Sequence, residues 1–356
     1  MTRGNIPLVM RDDKMEAKRM YNFDVERFLK IQNGALSLKD EFDQVIDEVL
    51  EKGIKNLFLV GTGGAVILME PAEYILKTHS TLPVFTEISS ELMLMDHNHF
   101  GEESLVIMPS LSGTTKETVE AAKWAKEKGA TTISLVGHAD TPLARLTDYT
   151  FVNFAEDDTS CESFYIQSYL LAFRIMYKRN EFPQYHQFVE EMTNLPAALL
   201  NVKEATEERA NAFALRHQNT PYHILSGAGI DWAQTYYYGM CILEEMQWIK
   251  TRPVHASHFF HGTLELVEEE TSILVFKGED QTRPLAERVE RFAENYSKEV
   301  TVFDSKDYEL KGISPELRAY VSPIVFATLL ERVSCYLEKY REHPLTTRRY
   351  YKKVPF

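Results

Sequence analysis

The chain is poor in positive charge, in cysteine and in long apolar stretches. Its 39 lysines and arginines face 53 aspartates and glutamates, a formal net charge of −14. An acidic surface repels nucleic acid and anionic membrane, which argues against either as a main partner. No run reaches the roughly 18 apolar residues of a membrane-spanning helix. Met1-Thr2-Arg3-Gly4-Asn5 lacks the apolar core of a signal peptide. Cys161, Cys241 and Cys335 lie far apart and form no metal-type spacing. They read as buried or free thiols in a reducing compartment. These absences leave a cytoplasmic enzyme or binding protein.

What is present is a repeat. The 356 residues are enough for two domains. Residues 1–50 read as a charged helical lead-in, with Phe28, Leu29, Ile31, Phe42, Val45 and Ile46 at helical spacing. From Asn56 onward short apolar strand candidates alternate with helices. Leu57–Val60 ends in Gly61-Thr62-Gly63-Gly64, a helix pattern covers Val66–Lys77, and Pro83–Phe85, Leu105–Ile107, Thr132–Val136 and Tyr149–Val152 follow as strands. A helix from about Ser160 to Tyr177 closes the first half. Tyr222–Leu225 then runs into Ser226-Gly227-Ala228-Gly229, a long helix is expected from Trp232 to about Trp248, and strands at Ser272–Phe276 and Val300–Phe303 flank a helix at Leu285–Tyr296. Strand, glycine turn and helix thus occur twice. The pattern predicts an α/β fold of two tandem doubly wound parallel sheets flanked by helices, at 51–180 and 195–342, with a basic, aromatic tail at 343–356.

The most informative loop is Ser110-Leu111-Ser112-Gly113-Thr114-Thr115, between an apolar strand and a helix beginning at Lys116. Hydroxyls and a glycine at a helix N-terminus suit a phosphate monoester, because the first-turn N–H groups are unpaired and the dipole favours an anion. The loop carries no lysine or arginine, so it would hold a phosphate by hydrogen bonds and dipole alone. A routine N-cap cluster has the same residue types. A dinucleotide reading of the glycine turns lacks the third glycine and the acidic residue after the next strand, and there is no P-loop lysine.

Two glycine-turn modules and a Ser-x-Ser-Gly-x-Thr loop together resemble the sugar isomerase (SIS) domain family, from about residue 50 onward. The resemblance implies that Ser110, Ser112 and Thr115 hold the phosphate of a sugar 6-phosphate, that Gly113 permits close backbone approach, and that Thr62, Gly63 and Gly64 line the sugar. Ala65 stands where the family often has a serine. The second half, with Glu245-Met246-Gln247-Trp248, His255 and Phe259-Phe260-His261-Gly262-Thr263-Leu264-Glu265, is similar to bacterial fructosamine-6-phosphate deglycases, as is the ending His343-Pro344-Leu345 with Arg348-Arg349-Tyr350. Glu245 and His261 stand sixteen residues apart, the separation of the catalytic pair in those deglycases. The family's usual glutamate three residues before the histidine is replaced by His258, so its role is absent or passed to His258.

The resemblance implies cleavage of a 6-phosphorylated Amadori product to glucose 6-phosphate and a free amino acid, with a lean toward lysine. Glu245 would be the general base and His261 the acid/base for the ring oxygen. Such chemistry needs no metal or other cofactor. It also implies a homodimer with shared sites, because the catalytic histidine of SIS enzymes commonly comes from the partner subunit. By helical spacing Glu245 shares a face with Cys241, Ile242 and Trp248, although Glu244-Glu245 would also suit a solvated helix edge. His255, His258 and His261 recur every three residues, but Pro253 and the aromatic pair argue for an irregular segment there. Positive charge for the substrate is confined to Lys250, Arg252 and the tail, which folds over a site if it has a role in binding. The rival readings are an aldose–ketose isomerase, a glucosamine-6-phosphate synthase-like isomerase, and a sugar-phosphate sensor. The synthase would need a cysteine directly after Met1, where this chain has Thr2.

Overall fold

In a computed structural model the described residues are 20–155, 161–351 and 353–354. The first part of the expected lead-in, residues 1–19, lies outside them, as does Lys352 of the tail. Two sheets form, and every strand in both is parallel to its neighbours. β1 (Asn56–Gly61), β2 (Val84–Ile88), β3 (Ser104–Ser110), β4 (Thr131–Val136) and β5 (Tyr149–Val152) are ordered β2-β1-β3-β4-β5. β6 (Tyr222–Gly227), β7 (Lys250–His255), β8 (Ser272–Lys277) and β9 (Val300–Asp304) are ordered β7-β6-β8-β9.

The inner strands are apolar because helices cover both of their faces; β1 and β3 are buried at every residue. Alternation then sorts their side chains. Leu57, Leu59, Leu105 and Ile107 of the first sheet, with Leu225, Leu274 and Phe276 of the second, point into one core shared by both sheets. Phe58, Val60, Val106 and Met108 point outward under the helix Lys116–Glu127, and Ile224, Ile273 and Val275 under Arg283–Tyr296. The shared core is filled by Glu162–Lys178, Leu195–His217 and Pro315–Arg341. The lead-in helices Val25–Ser37 and Lys39–Glu51 pack on the first of these, Asp24 capping the former by accepting from Arg27 N at 2.9 Å.

A buried ion network ties the three central helices together. Lys203 Nζ lies 2.9 Å from Glu331 Oε2 and 3.1 Å from Glu162 Oε1, the latter within ion-pair range but off the hydrogen-bond axis. Arg332 donates to Glu207 Oε2 at 2.8 Å. Among the described residues no helix is long and apolar enough to cross a membrane.

Three elements differ from the sequence expectation. The pattern around Pro253 predicts an irregular segment, yet β7 forms there. It is an edge strand, where Lys250, Arg252 and Pro253 are tolerated because one side of the strand needs no ladder partner. The Val66–Lys77 helix is two, Gly64–Ile67 and Glu70–His79, the second restarting where Pro71 occupies its first turn. The long helix from Trp232 is α-helical only to Tyr237, and Tyr238–Glu244 is a π-helix.

Candidate active site

In both sheets the strand order reverses between the first strand and the one after next, and such a switch point opens a crevice at the carboxyl ends of the strands. In the first sheet β1 ends there in Gly61-Thr62-Gly63-Gly64 and β3 in the Ser110–Thr115 loop. Gly113 has φ +59°, and a Cβ there would run into the Thr141 hydroxyl, so the turn requires glycine. The loop is held by its own hydroxyls. Gly113 N donates to Ser110 Oγ at 3.2 Å, and Thr114 N and Oγ1 donate to Ser112 Oγ at 3.3 and 3.0 Å. Thr115 occupies the N-cap position of Lys116–Glu127, yet its hydroxyl makes no capping bond and lies 3.4 Å from Ser110 Oγ. A routine cap would be spent on the helix; this one faces the crevice.

The crevice is a cavity of about 450 Å³, and its lining brings Thr62, Gly64, Ser110, Ser112 and Thr115 together with Glu245 of the second half. Gly64 also governs the fit between the halves. A Cβ there would sit 2.6 Å from Cε2 of Tyr237, so its bare backbone lets the second module close against the first. Tyr237, Cys241 and Glu245 all line the opposite wall, spaced by four residues. On a regular α-helix such a row drifts around the axis. The wider π turn between them offsets the drift, and the backbone shows it: Glu245 N donates to Met240 O and Gln247 N to Ile242 O, each at 3.1 Å and five residues back. Consequently Cys241 shares the cavity with Glu245 as expected, Trp248 shares with it the groove next door, and Ile242 turns elsewhere.

The tail folds back over this wall. Arg348 Nε donates to Glu245 Oε1 at 2.9 Å, its guanidinium is fixed from behind by the carbonyls of Leu345 and Thr347, and Tyr351 lines the cavity. Buried Gln247 anchors the tail's start, donating to His343 O at 2.7 Å and accepting from Arg341 Nε at 3.1 Å. Sequence reasoning quoted Gln247 without giving it a role and missed His138. The latter lines the cavity two residues beyond the carboxyl end of β4, a position that a rule based on strand ends could have flagged. Cys161 also lines the cavity, but burial, with Glu162 beside it, pushes its thiol well up, so it stays protonated and is a poor nucleophile.

Not every expected residue is in the cavity. Gly63, at φ +59°, shapes the turn ahead of the helix Gly64–Ile67 without lining the crevice. His258 and His261 lie exposed on the segment after β7, in the helix Ala256–Phe259 and the turn that follows, and neither lines the cavity of its own chain. His255 is partly buried against Trp232, with ring centroids 5.6 Å apart, and accepts from Ser257 N at 3.2 Å.

A family model described as the SIS domain matches residues 52–177. Fructosamine deglycase FrlB of Bacillus subtilis is 30% identical over 319 residues, covering 89% of this chain and 97% of that protein. The chain belongs to the SIS-domain family. Fructoselysine 6-phosphate deglycase of Escherichia coli is 23% identical over 307 residues, covering 86% and 88% of the two chains. A solved Bacillus subtilis structure, of a candidate phosphosugar isomerase, superposes with a TM-score of 0.83 at 29% identity, covering 94% of this chain and all of that one.

The two halves differ at their switch points. In the second sheet the equivalent switch point lies between the turn after β6 and the loop after β8. There the Asp280 carboxylate accepts from Ile230 N at 3.1 Å, Thr282 N at 2.9 Å and Thr282 Oγ1 at 2.6 Å. Gly229, at φ +56°, lets it sit against the turn, since a Cβ would collide with both Asp280 and Thr282. The donors that would greet a phosphate are satisfied by the protein's own carboxylate.

Proposed function

We propose that this SIS-family chain is a fructosamine-6-phosphate deglycase. The observation that supports it best is the meeting, in one cavity, of the Ser110–Thr115 loop of the first half with the Glu245 carboxylate of the second. The loop takes the 6-phosphate and Glu245 meets the other end of the opened sugar. Glu245 removes a proton from C1, the carbon bearing the amine, and the electron pair moves to give an enaminol. Reprotonation at C2 leaves a C1 imine, which water hydrolyses to glucose 6-phosphate and the amino acid. His261 would open the ring and return protons to oxygen, since an imidazole can both donate and accept a proton. Because His261 stands outside the cavity of its own chain, this reading assigns it to the site of a second copy.

The test is release of glucose 6-phosphate from a panel of 6-phosphofructosyl amino acids, with the Nε-lysine adduct expected among the substrates. Mixing the inactive Glu245→Gln and His261→Asn chains should restore part of the activity if sites are shared, since a mixed pair rebuilds one intact site. Conversion of fructose 6-phosphate with no release from any adduct would favour the isomerase. The phosphate loop has its own check. Ser112→Ala should weaken glucose 6-phosphate binding about tenfold, the scale of one hydrogen bond to a charged group, as read by calorimetry; unchanged affinity removes Ser112 from the cradle.

A further inference from the structure

Beyond Glu245 the cavity continues into a second groove of about 550 Å³, which shares Glu245 and Tyr351 with the first and includes none of the phosphate loop. We propose that this groove is the subsite for the amino-acid half of the substrate, and that Arg349 and Lys250 in it read that amino acid's carboxylate; this rests on the deglycase reading.

The argument begins with the direction of the substrate. Its phosphate is on C6 and its amine on C1. With C6 at the Ser110–Thr115 loop and C1 at Glu245, the nitrogen substituent leaves on the far side of Glu245. The second groove opens there. Its charges then select the ligand. Arg348 is paired with Glu245, and Glu244 accepts a 2.5 Å hydrogen bond from Thr251 Oγ1. Arg349 and Lys250 have no acidic partner among the described residues. In a chain with 53 acidic residues against 39 basic ones, two cations without acidic partners beside one groove are suited to an anionic group on the ligand.

Trp248 supplies the remaining feature. It has φ +56°, a left-handed conformation uncommon for a large side chain, and the residue is 40% exposed. The Arg349 guanidinium lies 4.2 Å from the ring centroid, and His343 packs edge-on at 4.5 Å. The indole therefore holds Arg349 in place by cation–π contact and presents an apolar wall to a methylene stem. A carboxylate near two cations and an aliphatic stem along an indole describe an amino acid, whereas a plain alkylamine would satisfy only the wall.

The test compares matched substrates that differ only in the carboxylate: the 6-phosphofructosyl adducts of Nε-lysine and of cadaverine, and of valine and of isobutylamine. At least one carboxylate-bearing adduct should exceed its partner by about tenfold or more in kcat/KM, the scale of a charge-assisted hydrogen bond. Arg349→Gln should shrink that ratio toward one, and Lys250→Gln should reduce it in part. Equal rates within each pair, or an Arg349→Gln loss that falls equally on both members, would overturn the subsite while glucose 6-phosphate is still released. Release from none of the adducts overturns the deglycase reading and the subsite with it.

Discussion

Glu245→Gln should lower kcat by about 10²–10⁴-fold, the usual worth of a positioned general base, with sugar-phosphate affinity changed little. The substitution is nearly isosteric. A glutamine carbonyl can still accept from Arg348 Nε, which donates to Glu245 Oε1 at 2.9 Å in the native chain, so the tail has no reason to lift. The loop at Ser110–Thr115 lies on the opposite wall and is untouched. What disappears is the basic oxygen pair that, on the proposed mechanism, takes the C1 proton. The coupled glucose-6-phosphate assay reads kcat, and calorimetry with glucose 6-phosphate confirms that the site is intact. Normal turnover in a variant that binds normally would remove Glu245 from the chemistry.

The second large effect is on stability. Lys203→Met should cost about 3–5 kcal/mol at neutral pH, the scale for breaking a buried ion pair by removing one partner. The methionine fills the space of the stem but strands Glu162, which is fully buried, and leaves Glu331, of which 13% is exposed, with Arg332 as its remaining cation. Burial alone would pull the Lys203 ammonium down, and the two carboxylates outweigh it and hold it above its ordinary range. Burial likewise pushes Glu331 up, and Lys203 with Arg332 outweighs that and holds it down.

The signs follow from linkage. The Glu331 contribution is present above the unfolded carboxyl value of about 4.3 and is lost as pH falls through the lower folded value. The Lys203 contribution is present below about 10.4 and is lost as pH rises through the higher folded value. Lysine removal should therefore hurt most near neutrality. The gap to the native chain should narrow toward pH 4–5, where Glu331, without Lys203 to hold it down, can take up a proton. Urea unfolding midpoints at pH 7 and pH 5 measure this. Adding Glu162→Gln to Lys203→Met should recover part of the loss; equal native and variant midpoints at pH 7 would show that the network does not hold the three helices.

The sequence disclosed those parts of the fold in which burial acts on composition. β1, β3 and β8 are sandwiched between helices, so they had to be apolar runs and could be read as such. β7 escaped because an edge strand has only one neighbour and tolerates Lys250, Arg252 and Pro253. The π-helix escaped because its residues, Tyr238 to Glu244, are equally at home in an α-helix; only the position of Glu245 against Tyr237 and Cys241 required the extra width. The phosphate-loop candidate was legible in its hydroxyls and in the glycine at Gly113. The Arg348–Glu245 contact spans 103 residues and has no local signature, so no spacing could disclose it.

Asp280 gives the paired modules a polarity that their topology lacks. Each sheet carries a switch point of the same kind, and by topology alone either could take an anion. A single carboxylate, held by donors of its own half, breaks that equivalence. On the proposed reading, a sugar phosphate would then lie one way in the chain, head in the first module and reacting carbons against the second. On that reading, orientation is set by the end at which the anion is refused.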